Sequence, residues 1–513
     1  MGENMSTKPF SYPEGCFFNS IDDIKGKNIT VMGLGLNGGG EATVKFLVKH
    51  GANVLITDMK NADQLRPTLN SIINDTTIDS SKIKYVLGEH RMQDFAEADC
   101  VIKNPGVKIE NNRYLLSSKA IETDISMFLH FTKSPIIAIT GSKGKSSTVS
   151  AIHYGLNKAG FKSFLGGNIT VSPLTFLDQT TEETPVVLEL SSWQLADLRG
   201  RKALKPKIAV ITKIVPDHQN WYDTMGSYVA DKRLIYADQT ENDFTIIDAD
   251  GDPFGTGPLE GGTWGELFAK ETKAKVIRYS QNELSPNAIG SWFSKDEEGN
   301  FCAFTRLPGF SKPEKVLGFV KVPGNHNKAN LLNAATVMAL MNVEPSKIES
   351  ILGEWNGIPH RLQYFHTYKN KFKFYNDSCS TVPESAAAAS QAFGKSITLI
   401  TGGTDKGLSF EPLSETLACK KIGASPVQEL YLLAGTGTDK LVCLLDDENV
   451  KFKGPYNSLV ELMQDLKKDI MNPSEPASRS DTIVFSPGAT SFGMFSNEFD
   501  RGEKFMEITK TIF

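Results

Sequence analysis

The sequence has little cysteine, no surplus of cationic charge and no long apolar run. Its six cysteines, Cys16, Cys100, Cys302, Cys379, Cys419 and Cys443, lie scattered, with no paired metal-ligand spacing. Free thiols in a reducing compartment are therefore expected, rather than a disulfide framework or a thiolate metal site. A formal net charge of −5 provides no basic patch for nucleic acid. No stretch is apolar for long enough to cross a bilayer. The opening MGENMSTKPF lacks an apolar signal-peptide core. It matches the loose myristoylation pattern Met-Gly-x-x-x-Ser, without a second anchoring signal. The cytoplasm is the expected location, with neither nucleic acid nor membrane as a partner. At 513 residues, 40% hydrophobic and 22% charged, the composition is that of a globular chain of two to four domains.

The most informative stretch is Pro135 to Ser147, PIIAITGSKGKSS. A β-prone run over Ile136 to Ile139 meets a loop of small residues, and a helical pattern follows. Strand, glycine loop and helix together make a cradle for polyphosphate. Glycines turn backbone N–H groups inward, and the helix start adds unpaired N–H groups and a positive dipole end. Gly141 and Gly144 shape the loop, Lys145 reaches the β- and γ-phosphates, and the Ser146 hydroxyl ligates Mg²⁺. The spacing is shorter than the usual phosphate loop, since Ile139 stands where its first glycine is expected.

Upstream, a strand over Asn28 to Met32 runs into Gly33-Leu34-Gly35-Leu36-Asn37-Gly38, a GxGxxG loop. A helix through His50 follows, then a strand over Asn53 to Asp58 that ends on an acid placed for a ribose hydroxyl. Such a loop reports a nucleotide pyrophosphate; NAD or a UDP group would satisfy it. A strand over Asp99 to Lys103 ends in Asn104-Pro105-Gly106, and this domain closes near Lys133. Beyond the phosphate loop, Gly166-Gly167-Asn168 follows a short apolar run. A strand over Pro185 to Leu190 delivers Glu189. An acid there is costly unless it is paired or binds metal, and beside a phosphate loop Mg²⁺ is the natural partner. A strand over Ile208 to Thr212 leads to Asp217 and His218, and a helix over Tyr228 to Ala237 carries Lys232. On its pattern alone, Lys232 reads as a solvated helix lysine. The stretch from Ala249 to Ser311 reads as loop with short strands, an insertion. A long helix begins at Gly324-Asn325-His326-Asn327, with the Asn327 and Asn330 amides on one face, able to read an adenine edge. Gly357 to Arg361 reads as a hinge. Past it lies a third α/β unit. Its strands, near 371–375, 397–401, 430–433 and 482–485, carry polar small-residue loops at three ends, which implies a ligand crevice.

Taken together, these motifs resemble the Mur ligases, the ATP-dependent amide-forming enzymes of peptidoglycan assembly. The phosphate loop, Gly324-x-His326-Asn327-x-x-Asn330 and Pro359-His360-Arg361 are similar to the general family. Glu189-Leu190-Ser191-Ser192-Trp193-Gln194-Leu195, Gly402-Gly403-x-Asp405-Lys406-Gly407 and Ser486-Pro487-x-x-x-Ser491-Phe492 point to the member that adds D-glutamate. The resemblance implies an α/β fold of three domains. These are a Rossmann-like N-terminal domain for the UDP substrate (1–134), a central P-loop ATPase-like α/β domain (135–358), and a Rossmann-like C-terminal domain for the amino acid (359–513). It implies UDP-N-acetylmuramoyl-L-alanine and D-glutamate as substrates, ATP and Mg²⁺ as cofactors, an acyl-phosphate intermediate, and a monomer.

The resemblance also implies roles for individual residues. Leu36, Asn37, Asp58 and Asn104 contact UDP. Gly141, Gly144, Lys145, Ser146 and Ser147 hold the phosphates, and Asn327, Asn330, Arg361 and Asp377 the rest of ATP. Ser146, Glu189, His218 and Lys232 belong to the metal sites, Lys232 as a carbamylated lysine. Asn168 and His218 lie near the muramoyl-alanine arm and the second Mg²⁺, Ser192 binds substrate, and Thr381, Lys406, Ser491 and Phe492 hold D-glutamate. Lys145, His218 and Lys232 are the expected catalytic residues, His218 as a base for the incoming amine. The chain departs from the family pattern at Cys379, often a lysine, at Trp221, a frequent arginine, and at Glu498, where an aromatic can cover the amino acid. The rival readings are a sister ligase with another amino acid, a NAD-dependent oxidoreductase and a non-enzymatic nucleotide-binding module.

Overall fold

The computed structural model describes residues 9–169, 171–217, 221–251, 257–258, 261–418, 425–472 and 479–513. Its strands form three sheets. The chain divides into two compact units, residues 1–318 with 332–349, and residues 319–331 with 350–513. The first unit carries the first two sheets and the second carries the third.

The first sheet is wholly parallel. Its order is Ile83–Leu87, Asn53–Asp58, Asn28–Met32, Cys100–Lys103 and Ile121–Glu122. The order reverses between Asn28–Met32 and Cys100–Lys103, and a doubly wound sheet opens its ligand crevice at such a point. Among the described residues the second sheet has nine strands. Ile136–Thr140 sits inside it, flanked by Val186–Glu189 and Ile208–Ile211, both parallel to it. Every residue of these three strands is buried. Parallel strands covered on both faces read as unbroken apolar runs, which is why they stand out in the sequence.

The stretch read as an insertion is a continuation of this sheet. The strands Lys275–Ser280, Gly290–Lys295 and Phe301–Arg306 extend it beyond Phe244–Asp248, and the last two pair antiparallel. The third sheet runs Gln363–Tyr368, Phe372–Asn376, Thr482–Phe485, Ile397–Thr401, Val427–Leu433 and Lys453–Tyr456. Its first pair is antiparallel and the rest are parallel.

A buried polar cluster joins the first sheet to the second. Lys103 Nζ donates to Asp197 Oδ2 at 2.6 Å, and Tyr12 OH donates to Asp197 Oδ1 at 2.9 Å. Arg201 donates to Glu122 Oε2 at 2.9 Å and to the Asp197 carbonyl at 2.8 Å. All five side chains are buried. Burial pushes the Asp197 carboxyl up despite the opposing pull of Lys103. Removing one partner leaves a buried charge unmatched, at a cost of about 3–5 kcal/mol. Lys103→Met is therefore expected to lower the melting temperature sharply, and the double variant Lys103→Met/Asp197→Asn, which keeps an acceptor for Tyr12, to recover part of the loss. Equal melting temperatures for the single variant and the parent would contradict this account.

Candidate active site

The strand Ile136–Thr140 stops at Gly141, whose φ is +140°. A Cβ at Gly141 would run into Thr212 Oγ1, so the close approach of the neighbouring strand end requires glycine. Gly144, at φ +91°, caps the helix Lys145–Ala159, and Gly160 closes it at φ +105°. The loop is held from outside by residues that the sequence did not single out. Thr212 Oγ1 donates to the Lys143 carbonyl at 2.8 Å. Ser142 Oγ donates to Val215 O at 2.8 Å and accepts from Tyr228 OH at 3.0 Å. Lys145 Nζ donates to the carbonyls of Gly141 at 2.9 Å and Ser142 at 3.0 Å. Ser146 and Ser147 follow in the first helical turn. Lys143 points outward and pairs with Asp217 at 3.1 Å.

Lys232 comes to the same loop from the helix Met225–Lys232. It is buried, not solvated, and its Nζ donates to the Gly141 carbonyl at 2.8 Å. Two lysines thus share one carbonyl. Burial, and then the neighbouring Lys145 charge, hold the Lys232 amine well below the usual lysine range. Burial lowers Lys145 as well, against the pull of Glu189 and Asp217. The Tyr228 ring, one turn before Lys232, lies with its centroid 4.5 Å from Nζ. Lys145, Lys232 and the glycine loop are therefore brought together.

Glu189 ends the strand Val186–Glu189 beside them and is 2% exposed. Its Oε1 accepts from Asn168 Nδ2 at 3.0 Å, while Oε2 is buried without a hydrogen bond. A buried carboxylate oxygen left open at a phosphate loop is the donor a hard divalent cation takes. Among the described residues no group of three or more His, Cys, Asp or Glu side chains could hold a metal. Magnesium bound through one carboxylate, a serine hydroxyl and substrate phosphates does not need one. His218 lies outside the described residues.

In the first sheet, Gly33 has φ +85°, and a Cβ there would approach Asn104 Cβ to 2.9 Å. Asn104 accepts from the Gly106 N–H at 3.0 Å, which folds the loop after Cys100–Lys103. A cavity of about 230 Å³ opens at this strand end, lined by Asn37, Asn104, Asn168, Trp193 and Gln194 among others. It brings together three of the expected substrate contacts. Leu36, Asp58 and Ser192 do not line it. Asp58 accepts from the Gly35 N–H at 3.1 Å and the Lys60 N–H at 2.9 Å, so its carboxylate closes the glycine loop onto the second strand. Trp221 packs against Trp193 with ring centroids 4.7 Å apart.

The second unit gathers the remaining candidates. Asp377 is buried, accepting from Ser486 Oγ at 2.7 Å and the Leu362 N–H at 3.0 Å. Burial pushes its carboxyl up to about 7, against the hydrogen bonds and the Arg361 charge. Asn327 and Asn330 are buried on the helix Asn325–Leu340, where Asn327 Nδ2 caps the Pro323 carbonyl at 2.7 Å. Lys406 Nζ reaches Thr381 Oγ1 at 3.4 Å. Thr404 and Thr490 pair backbone to backbone and tie the Lys406 loop to the loop of Ser491 and Phe492. Ser491 is buried and Phe492 is 65% exposed.

The chain matches known proteins along most of its length. The Mur ligase middle domain matches residues 139–338, and the Mur ligase MurD-like, N-terminal domain matches residues 27–126. The UDP-N-acetylmuramoylalanine--D-glutamate ligase of Treponema pallidum (strain Nichols) is 39% identical, over 96% of this chain and 98% of its own length. The protein of the same name from Borreliella afzelii (strain PKo) is 36% identical over 95% of this chain and 98% of its own length. Among solved structures, MurF from Acinetobacter baumannii superposes with a TM-score of 0.56 at 15% identity, covering 89% of this chain and 91% of its own. UDP-N-acetylmuramate-alanine ligase MurC from Thermotoga maritima gives 0.52 at 16% identity, covering 94% and 99%. These two carry the fold alone. With relatives this similar over nearly their whole length, and with family models on the two sheets that hold the glycine and phosphate loops, the chain belongs to the Mur ligases, a family of ATP-dependent amide ligases.

Proposed function

We propose that this ligase joins D-glutamate to UDP-N-acetylmuramoyl-L-alanine, forming ADP and phosphate. The observation that carries the reading is the near-full-length identity of 39% to a relative named for that reaction. The glycine loop with its two lysines and Glu189 fits the chemistry. A free carboxylate is a poor acyl donor because oxide would have to leave. Transfer of the γ-phosphoryl group to the substrate carboxylate makes phosphate the leaving group instead. Lys145 and the loop N–H groups meet the charge on the transferred group. The neutral amine of D-glutamate attacks the acyl phosphate, the C–N bond forms, phosphate leaves and the amine gives up a proton, for which His218 is the candidate base.

Mg²⁺, when bound, neutralises charge on the phosphates and the developing oxyanion. Glu189 Oε2, the Ser146 hydroxyl, His218 and a carbamylated Lys232 are the residues that would hold it. Asn37, Asn104 and Asn168 would orient the nucleotide-sugar arm in the cavity they line; Leu36, Asp58 and Ser192 would contact the substrate outside that cavity. Asn327, Asn330, Arg361 and Asp377 would serve ATP, and Thr381, Lys406, Ser491 and Phe492 the amino acid, with Lys406 pairing to a carboxylate. The same reading divides the chain at 134 and 358 into domains for nucleotide sugar, ATP and amino acid, and takes it as a cytoplasmic monomer. No helix among the described residues is long and apolar enough to cross a membrane.

The test is ADP release by the full chain with Mg²⁺ and UDP-N-acetylmuramoyl-L-alanine. Turnover is expected with D-glutamate and not with L-lysine or meso-diaminopimelate. Turnover with either of the latter, or none with D-glutamate, refutes the assignment.

A further inference from the structure

Arg501 is the fourth residue of the helix Glu498–Ile512, and it is 1% exposed. Its Nη2 donates to the Ser378 carbonyl at 2.7 Å, its Nε to Ser378 Oγ at 3.0 Å, and its Nη1 to the Ala489 carbonyl at 3.0 Å. A Cβ placed on Gly403 would lie 3.7 Å from Nη1. Ser378, Ala489 and Gly403 follow the strands Phe372–Asn376, Thr482–Phe485 and Ile397–Thr401, which are neighbours in the third sheet. One guanidinium thus lies where three strand-end loops converge. Those loops also carry Thr381, Ser491 and Lys406.

We propose that Arg501 is a positioning residue of the amino-acid site, fixing two of the three strand-end loops, lying against the third, and biasing the crevice they form towards a carboxylate ligand. This inference rests on the reading that D-glutamate binds at these strand ends.

The chemistry follows from what the guanidinium lacks. Its hydrogen-bond partners are all neutral oxygens. Burial pushes it down only to about 10, so it keeps its charge at neutral pH. A buried cation bonded to neutral groups has lost its water without gaining a bonded counter-ion; the carboxyl groups of Glu498 and Asp377 act on it through space only, so part of its charge is left to bias the surface it underlies. An anion at the strand ends relieves that cost. D-Glutamate brings two carboxylates, and Lys406, exposed on its loop, supplies only one cation. The planar fork also does what a lysine cannot, since three directed donors hold two separate loops at once.

The experiment compares full-length R501K and R501Q with the parent, measuring KM for D-glutamate, for ATP and for the UDP substrate. R501Q is expected to raise KM for D-glutamate about a hundredfold, and R501K about tenfold because it keeps the charge. The other two KM values are expected to stay within about twofold. If R501Q does not fold, R501K decides. The inference is overturned if all three KM values move together, if both variants keep the parental KM for D-glutamate, or if neither variant folds, which would make Arg501 a core residue only. A parent that turns over no ATP with D-glutamate defeats the functional reading instead.

Discussion

Lys145→Ala is expected to lower ATP turnover by about 10²–10³-fold, the loss that follows when one preorganised donor to developing charge is removed, or about 2.7–4 kcal/mol of transition-state stabilisation. Lys145 Nζ stands 2.9 Å from the Gly141 carbonyl and 3.0 Å from that of Ser142, within the loop that would wrap the phosphates. The cation is largely out of water, and burial has lowered its proton affinity. Its charge is therefore a burden on the folded state at neutral pH, eased in part by Glu189 and Asp217 and offset further when phosphate arrives. Alanine should leave the melting temperature nearly unchanged. Gly141 O keeps Lys232 as a donor, so the loop does not lose its inner support. Steady-state ADP release and a thermal melt on the same preparation separate the two effects. Turnover within tenfold of the parent would remove Lys145 from the mechanism, and a collapsed melt would make its role structural.

The parts of this site that could be read from sequence are those in which chemistry and chain order coincide. Ile136 to Ser147 is strand, loop and helix in one run, and the apolar pattern of a doubly covered strand marks where the loop begins. Glu189 was legible because a carboxylate at the end of a buried strand is conspicuous. Asp58 has a structural role that its spacing does not announce. Its spacing suits a ribose ligand, and its oxygens also accept from the N–H groups of Gly35 and Lys60. Lys232 reads as a solvated helix lysine because its burial comes from a loop some ninety residues away. Thr212, Tyr228 and Arg501 escaped for the same reason. Nothing in the local pattern says that a threonine side chain will fill the space beside Gly141, or that an arginine in a terminal helix will lie under three strand ends. The edge strand Ile83–Leu87 was also missed, because exposed Lys84 and Tyr85 break its apolar signature.

Lys232→Ala is the second large effect expected, again about 10²–10³-fold in kcat, and its argument turns on protonation. Carbamylation joins a neutral amine to CO₂; the N–C bond forms, one carbonyl π-bond opens to a carboxylate, and a proton passes to water. Only the neutral amine reacts. Burial, reinforced by the Lys145 charge, disfavours the ammonium form of Lys232, so the reactive form is present at a lower pH than for an ordinary lysine. The carbamate keeps one N–H, enough to preserve the bond to the Gly141 carbonyl, and adds a carboxylate of the charge a divalent cation takes. Activity of the parent should therefore fall in CO₂-free buffer and return with bicarbonate, and short carboxylic acids should partly restore Lys232→Ala. The sign of the pH dependence is fixed. As pH rises through the depressed pKa, the neutral fraction and the carbamate both grow. Removing Lys145 takes away a cation that opposes the ammonium and favours the carbamate, so in Lys145→Ala the carbamate must appear at higher pH. A ¹³C signal from protein equilibrated with labelled CO₂ reads this without relying on turnover. If that signal is absent from the parent, or its midpoint is unmoved in Lys145→Ala, Lys232 acts as an amine and the metal site must be completed from elsewhere.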